Sequence, residues 1–207
     1  AARCRKVPQG AARCRKVSQG AARRPIDQSL LPKISNFVGS ALTCYCGPSD
    51  NLAAIAATGL SQKGDVIIAS TDKYKGAAVM GDLMLGIAKN RGVSAFITDG
   101  YVRDTAGINK LSLPCFSIGS IPNSPARNGP GNVGFSIICG DINVNSGDII
   151  IGDIDGVVVV PYSEIETVLN KLKQVVNLEK KAEYIVNKGA KSTDLMDKIL
   201  KNSKFID

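Results

Sequence analysis

The dipeptide Arg103-Asp104 stands just past the apolar run VSAFIT, and Asp82 lies twenty intervening residues upstream, directly behind Gly81. A guanidinium presents a planar fork of donors matched to a carboxylate. One carboxylate with water oxygens is the usual way to hold Mg²⁺ or Mn²⁺. A surface salt bridge accounts for an Arg-Asp dipeptide equally well, and spacing alone does not separate the two. Asp82 is open in the same way. An acidic residue in a first helical turn is favoured by the macrodipole. Alternatively, the N–H groups of Gly81, Asp82 and Leu83 form an anion-receiving concavity, with Gly76 and Gly81 admitting a ligand close to the backbone. Asp99 opens the same DGYVRD turn, so the charges beyond this strand are either solvated turn residues or a site.

These side chains can act together only if the surrounding elements converge. FVGSALTCYC (37–46) reads as a strand. Ser49-Asp50-Asn51 caps a short helix, LAAIAATGL, which Gly59 ends. Lys63-Gly64-Asp65 turns into VIIAS, an apolar run typical of a strand buried on both faces. DKYKGAAVMG is a glycine-bearing loop, followed by a helix from Asp82 to Arg91 with Leu83, Met84, Ile87 and Ala88 on its apolar side and Gly92 as its stop. VSAFIT and LPCFSI are strands on either side of the DGYVRD loop, and residues 120–134 form the longest Pro/Gly/Asn-rich loop, of a length that is often functional. FSIIC, DIIIG and VVVVP are further strands; the GDIDG turn between the last two is too short for an EF-hand loop and reads as structural. A long helix opens on Ser163, with Glu166 completing a capping box and Ile165, Val168, Leu169, Leu172, Val175 and Val176 along one face. Its charged continuation docks on its own domain or on a neighbouring subunit. The class is α/β, with a long C-terminal helix.

Composition narrows the function. The net charge of +8 belongs to residues 1–30, which hold eight Arg/Lys against one Asp, while the remainder is nearly neutral. The basic balance is therefore no argument for nucleic acid. That segment carries a near-duplicate, AARCRKVPQG then AARCRKVSQG, and takes no function here. No apolar run approaches the roughly 20 residues that span a bilayer, so a soluble chain with no membrane partner is expected. Six cysteines without a CxxC pair, and no histidine at all, disfavour zinc and point to buried thiols in a reducing cytosol.

Several blocks in order resemble one family: GSALTCYCGPSDNL, KGDVIIAS, Gly81-Asp82-Leu83, RGVSAFITDGYVRD, LPCFSIG and SGDIIIGDIDGVVVVP. The span from Phe37 to Pro161 is similar to the RraA-like family, which contains class II 4-hydroxy-4-methyl-2-oxoglutarate aldolases and regulators of ribonuclease activity. The most diagnostic element is an aspartate, twenty residues, then Arg-Asp, which Asp82 and Arg103-Asp104 match. The resemblance implies a swivelling β/β/α domain over residues 31–161, a helical extension over 162–207, and a homotrimer (or dimer of trimers) with sites between subunits. It implies a cytoplasmic lyase that cleaves 4-hydroxy-2-oxo diacids to pyruvate and a keto acid, and also decarboxylates oxaloacetate.

On that resemblance Asp104 binds the divalent cation, Mg²⁺ or Mn²⁺, and Asp82 holds a water on it. Arg103 contacts the keto-acid end of the substrate, and amides around Gly81, Leu83 and Met84 receive its carboxylate. A glutamate from a neighbouring subunit contributes in related aldolases; Glu179 and Glu183 lie in the corresponding region. With no histidine, the hydroxyl proton must go to a carboxylate or a water. The alternative is a non-catalytic regulator that binds and inhibits an RNA-degrading endonuclease. The well-known regulator has glutamine where this chain has Asp104, so the carboxylate retained here favours the lyase. A methyltransferase role finds no Gly-rich nucleotide loop after the first strand.

Overall fold

The structure is a computed structural model in which residues 36–202 are described. The basic repeat of residues 1–30, with Cys4 and Cys14, lies outside them. Strands β1 (Phe37–Tyr45), β2 (Asp65–Ser70), β4 (Ala95–Thr98) and β6 (Cys115–Phe116) run parallel and adjacent in that order. They are joined by helices α1 (Leu52–Leu60), α2 (Asp82–Asn90) and α3 (Thr105–Leu111). On the other side of β1 lie β11 (Ile149–Asp153) and β12 (Gly156–Val160), both antiparallel, while β8 (Asn132–Val133) pairs with the end of β1. The seven strands form one mixed sheet, the α/β class expected.

Both faces of the sheet are covered, and β2 shows how. Ile67 joins Phe96, Leu85, Ala54 and Ile108 in a core under the helices. Val66 and Ile68, its neighbours along the strand, point the other way, toward Phe116, Ile137, Cys139 and Ile150. That second face is closed by the hairpin of β9 (Ile137–Cys139) and β10 (Ile142–Val144). The chain needs continuous apolar runs because no face of the central strands meets water.

The long helix α4 (Ile165–Asn187) leans on β11 and β12 through Val168 and Leu172, which pack with Ile149, Ile151, Val158 and Val160. Two fully buried aliphatic side chains stabilise that contact by about 1.5–3 kcal/mol each. Beyond Val176 the helix leaves its own domain: Leu178, Tyr184, Ile185 and Val186 are exposed, as are Leu195 and Leu200 of α5 (Asp194–Asn202).

Several expectations need correction. Gly59 lies inside α1, which ends at Leu60 with the Ser61 N–H bonded to Ala57 O. The loop before α2 contains a strand, β3 (Ala78–Met80), and the DGYVRD turn contains another, β5 (Tyr101–Val102). The buried face of α2 is Leu85 and Ala88, with Met84 partly covered; Leu83 and Ile87 face outward. α4 emerges from a 3-10 turn at Tyr162–Glu164 with no side-chain cap, so Ser163 and Glu166 form no capping box. The GDIDG turn is a tight hairpin, in which Asp153 Oδ1 accepts the Asp155 N–H at 2.9 Å.

The four cysteines of the described residues are free and buried. Burial pushes the Cys115 thiol up to about 12, and burial also raises Cys139, with the charge of Asp99 adding to it. Cys44 is raised by its bond with Cys46 and by burial. Thiols raised in this way are held as the unreactive protonated form near neutral pH. Iodoacetamide should therefore leave Cys44, Cys115 and Cys139 unmodified in the folded protein and label all three after guanidinium is added. Peptide mass mapping reads the result, and rapid native labelling at any of the three would contradict the packing.

Candidate active site

A second, smaller sheet assembles the polar groups. β3, β5 and β7 (Gly119–Ser120) pair side by side, all parallel. Because they share one direction, their C-terminal ends open on the same side, where ligands collect in parallel α/β structures. β3 delivers Gly81 and Asp82; β5 delivers Arg103 and Asp104; β7 delivers the loop of residues 121–131. The register carries on past the strands. The Arg103 N–H bonds Met80 O at 3.0 Å, and the Ile121 N–H bonds Val102 O at 2.9 Å.

The result is a pocket of about 170 Å³ whose lining includes Gly81, Asp82, Leu83, Met84, Arg103 and Asp104, six of the residues singled out from the sequence; Gly76, Asp99, Glu179 and Glu183 are not among its lining. Gly81 makes the approach possible. A Cβ there would sit 2.6 Å from Asp104 Oδ2 and 3.2 Å from Arg103 Nε, so any side chain would displace the Asp104 carboxylate and crowd Arg103. Asp104 takes a left-handed conformation, φ 58° and ψ 41°, at the head of α3. Its carbonyl begins the helix by accepting the Gly107 and Ile108 N–H groups, while its carboxylate caps nothing. That leaves the carboxylate for the pocket, in contact with Arg103 Nε at 3.3 Å. A left-handed non-glycine residue at a site is a recurring form of stored strain.

Arg103 is fixed at its other end, where Nη1 donates to Ser124 Oγ at 2.5 Å. Asp82 packs on α3 at Gly107, where an added Cβ would overlap its Oδ2. The N–H groups of Asp82, Leu83 and Met84 occupy the first turn of α2 and have no helical acceptor behind them.

Six further residues line the pocket: Ala78, Val79 and Met80 of β3, and Asn51, Pro125 and Arg127, none of which the sequence reading placed in a site. Asn51 is 5% exposed. Its Nδ2 donates to Val79 O at 3.0 Å, and its Oδ1 is a buried acceptor with no partner among the described residues. A buried acceptor left unmet costs about 1–3 kcal/mol, so its presence on the pocket wall is a chemical feature of the site. Arg127 adds a second guanidinium. The only signal for Pro125 and Arg127 was the length of the 120–134 loop, while Asn51 read as part of a helix cap. Glu179 and Glu183 lie on α4, and neither lines this pocket.

Comparison with known proteins agrees with the fold. A protein of Halalkalibacterium halodurans, provisionally named 4-hydroxy-4-methyl-2-oxoglutarate aldolase, is 37% identical over 137 residues, 66% of this chain and 65% of its own length. The chain thus spans just under two thirds of that relative. Among solved structures, Streptomyces coelicolor RraAS2, of the RNase ES inhibitor RraA family, matches with TM-score 0.72 at 22% identity over 86% of this chain and 90% of the other. A Geobacillus kaustophilus protein described as an S-adenosylmethionine: 2-dimethylmenaquinone methyltransferase matches with TM-score 0.60 at 26% identity, over 63% of this chain and 80% of that one. The family model for Aldolase/RraA matches residues 12–159. With most of its length under that model and its polar residues gathered at the ends of one parallel ribbon, this chain belongs to the RraA-like family.

Proposed function

We propose that the chain is a divalent-cation-dependent lyase that cleaves 4-hydroxy-4-methyl-2-oxoglutarate and similar 4-hydroxy-2-oxo diacids, and decarboxylates oxaloacetate. The observation that carries this reading is the meeting of Asp82 with Arg103-Asp104 at the first turn of α2, in one pocket with a second arginine. Two carboxylates, two guanidinium groups and a row of uncommitted N–H groups suit a small dianionic acid. A pocket of about 170 Å³ is well below the size of drug-binding cavities, which fits an acid of a few carbons.

The donor set also fits a hard cation. Mg²⁺ or Mn²⁺ needs one or two carboxylates, with water and substrate oxygens filling the remaining positions, and Asp104 with Asp82 would hold it. When bound, it supplies Lewis-acid polarisation of the keto and carboxylate oxygens. The chain's own residues do the rest. Amides of Asp82, Leu83 and Met84 receive the C1 carboxylate at the helix N-terminus. Arg103, held by Ser124 and Asp104, faces the keto oxygen and stabilises the negative charge that grows there as the C3–C4 bond breaks. That bond's electron pair stays with the pyruvate fragment while the C4 hydroxyl loses its proton, leaving the second keto acid. Asp82 is the carboxylate placed to take the proton, directly or through a water, and to return it to C3. Arg127 meets the second carboxylate. Oxaloacetate needs the same charge stabilisation without the hydroxyl base.

The same reading makes the working form a homotrimer, or a dimer of trimers; the apolar side chains that α4 and α5 expose, Leu178, Ile185 and Leu200 among them, support it. The regulator reading rests on structural likeness below 25% identity, which speaks to fold alone.

Pyruvate release from oxaloacetate with Mg²⁺ or Mn²⁺ is the direct assay, and EDTA should abolish it. Asp104→Ala should lower kcat/KM by at least about a hundredfold while the melting temperature stays within a few degrees, because its side chain is 47% exposed and makes no core contact. Undiminished turnover in this variant would remove Asp104 from the chemistry.

Arg103→Lys should fall by about a hundredfold in kcat, since an ammonium cannot span Ser124 and substrate with one planar fork; a wild-type rate would exclude the assigned contact. Gly107→Ala tests the placement of Asp82. The added methyl group overlaps Asp82 Oδ2 and comes within 2.7 Å of its Cβ, so the carboxylate has to move. The expected outcome is a folded protein with a melting temperature lowered by a few degrees and turnover down at least about tenfold; full activity would show that the position of Asp82 is immaterial.

A further inference from the structure

The loop of residues 121–131 roofs the pocket with almost no regular structure of its own, so its shape has to be imposed from outside. One buried side chain does most of this. Asp50 is 9% exposed and faces two ways. Its Oδ1 accepts the Leu52 N–H at 2.8 Å, at the head of α1. Its Oδ2 accepts the N–H groups of Asn128 at 2.7 Å and Gly129 at 3.0 Å, in the loop. Backbone bonds reinforce the junction: Asn51 N–H to Ala126 O at 3.1 Å, and Ala126 N–H to Ser49 O at 2.7 Å. Burial pushes the Asp50 carboxyl up, but the N–H groups of Leu52, Asn128 and Gly129 outweigh it and hold it below its ordinary value. It is therefore a charged anchor at neutral pH. The loop it anchors supplies Pro125 and Arg127 to the pocket wall and Ser124 to Arg103.

We propose that Asp50 is a positioning residue: by fastening Asn128 and Gly129 to the N-terminus of α1, it holds Arg127 over the pocket and favours acids with a second carboxylate. This rests on the reading of the pocket as an acid-binding site. Asp50 touches no substrate; it acts through the loop. Released from the anchor, Arg127 has to be ordered each time a distal carboxylate binds. That cost falls on the bound ground state and the transition state alike, so KM rises and kcat changes little. Arg103 keeps its own supports, the contact with Asp104 and the backbone bond to Met80.

Asp50→Ser tests this. A serine hydroxyl still accepts the N–H two residues on but is too short to reach the loop, so the helix cap and the loop anchor are separated. Hydrogen–deuterium exchange, with no substrate present, should quicken at least about tenfold in residues 126–131 and stay unchanged across α1. With Mg²⁺ and 4-hydroxy-4-methyl-2-oxoglutarate, whose second carboxylate stays intact through the reaction, KM should rise about tenfold while kcat stays within about threefold. In an Arg127→Ala background the same substitution should move KM by less than about twofold, an outcome that general loosening of the fold would not produce. Unchanged exchange in the loop, or a KM increment that persists in full without Arg127, overturns the proposal. Should Asp50→Ser not fold, the near-isosteric Asp50→Asn answers the same question, because its amide turns a donor toward one of the two N–H sets. If the wild-type chain turns over nothing, the catalytic reading fails by itself, and the exchange comparison still decides the anchor.

Discussion

The Arg103 N–H bonds Met80 O at 3.0 Å, extending a ribbon in which β3, β5 and β7 all run the same way. Direction is what matters. A two- or three-residue strand is about 7–10 Å long, so reversing any one of them would carry its polar terminus to the far end of the ribbon. Such short strands are weak by themselves. Their hold comes from the side chains they bury: Val79, Met80 and Val102 are each at most 2% exposed and join the core beneath α2 and α3. Hydrophobic burial thus fixes a ribbon whose function is to aim three loops at one place.

Close approach at that place depends on groups that are small or strained. Gly81 admits Asp104 and Arg103, Gly107 admits Asp82, and Asp104 accepts a left-handed backbone. None of these features improves packing in the ordinary sense. An alanine at 81 would collide with the Asp104 carboxylate and one at 107 with Asp82, while a glycine at 104 would relieve the backbone at the cost of the carboxylate. The arrangement accepts that strain to bring two carboxylates and a guanidinium together, which is the pattern expected of a site under functional constraint.

Much of this was legible in the sequence because the signals were local. The strands at 37–45, 65–70 and 95–98 are short segments rich in β-branched and other apolar residues, and the Asp82 to Arg103-Asp104 spacing is a linear pattern. What escaped depends on tertiary pairing. AVM and YV are too short to show periodicity, and they are strands only because they pair with each other. TAGINKL, with its internal glycine and β-branched start, has poor helix propensity, and α3 exists because Asp104 starts it and Ile108 is buried. Asn51 read as a helix cap; instead its amide reaches across to Val79, which no linear pattern reveals.

Aspartates make the same point at the level of single side chains. Asp99, in the DGYVRD turn, is 2% exposed. It accepts from the Thr71 N–H at 2.7 Å and the Thr71 hydroxyl at 3.2 Å, and also from the Lys73 and Gly140 N–H groups. It ties the end of β4 to the end of β2 and to the β9–β10 turn, and every oxygen is engaged. Asp148, 3% exposed, is used in the same way by Asn145 and Tyr162. A carboxylate so engaged cannot reach a ligand without abandoning the fold. Asp104, five residues beyond Asp99, is exposed, and among the described residues its ion pair is to the neighbouring arginine. Sequence alone treats the two as equivalent members of one charged turn. The number of donors that the fold supplies to each is what separates a structural carboxylate from one available for chemistry.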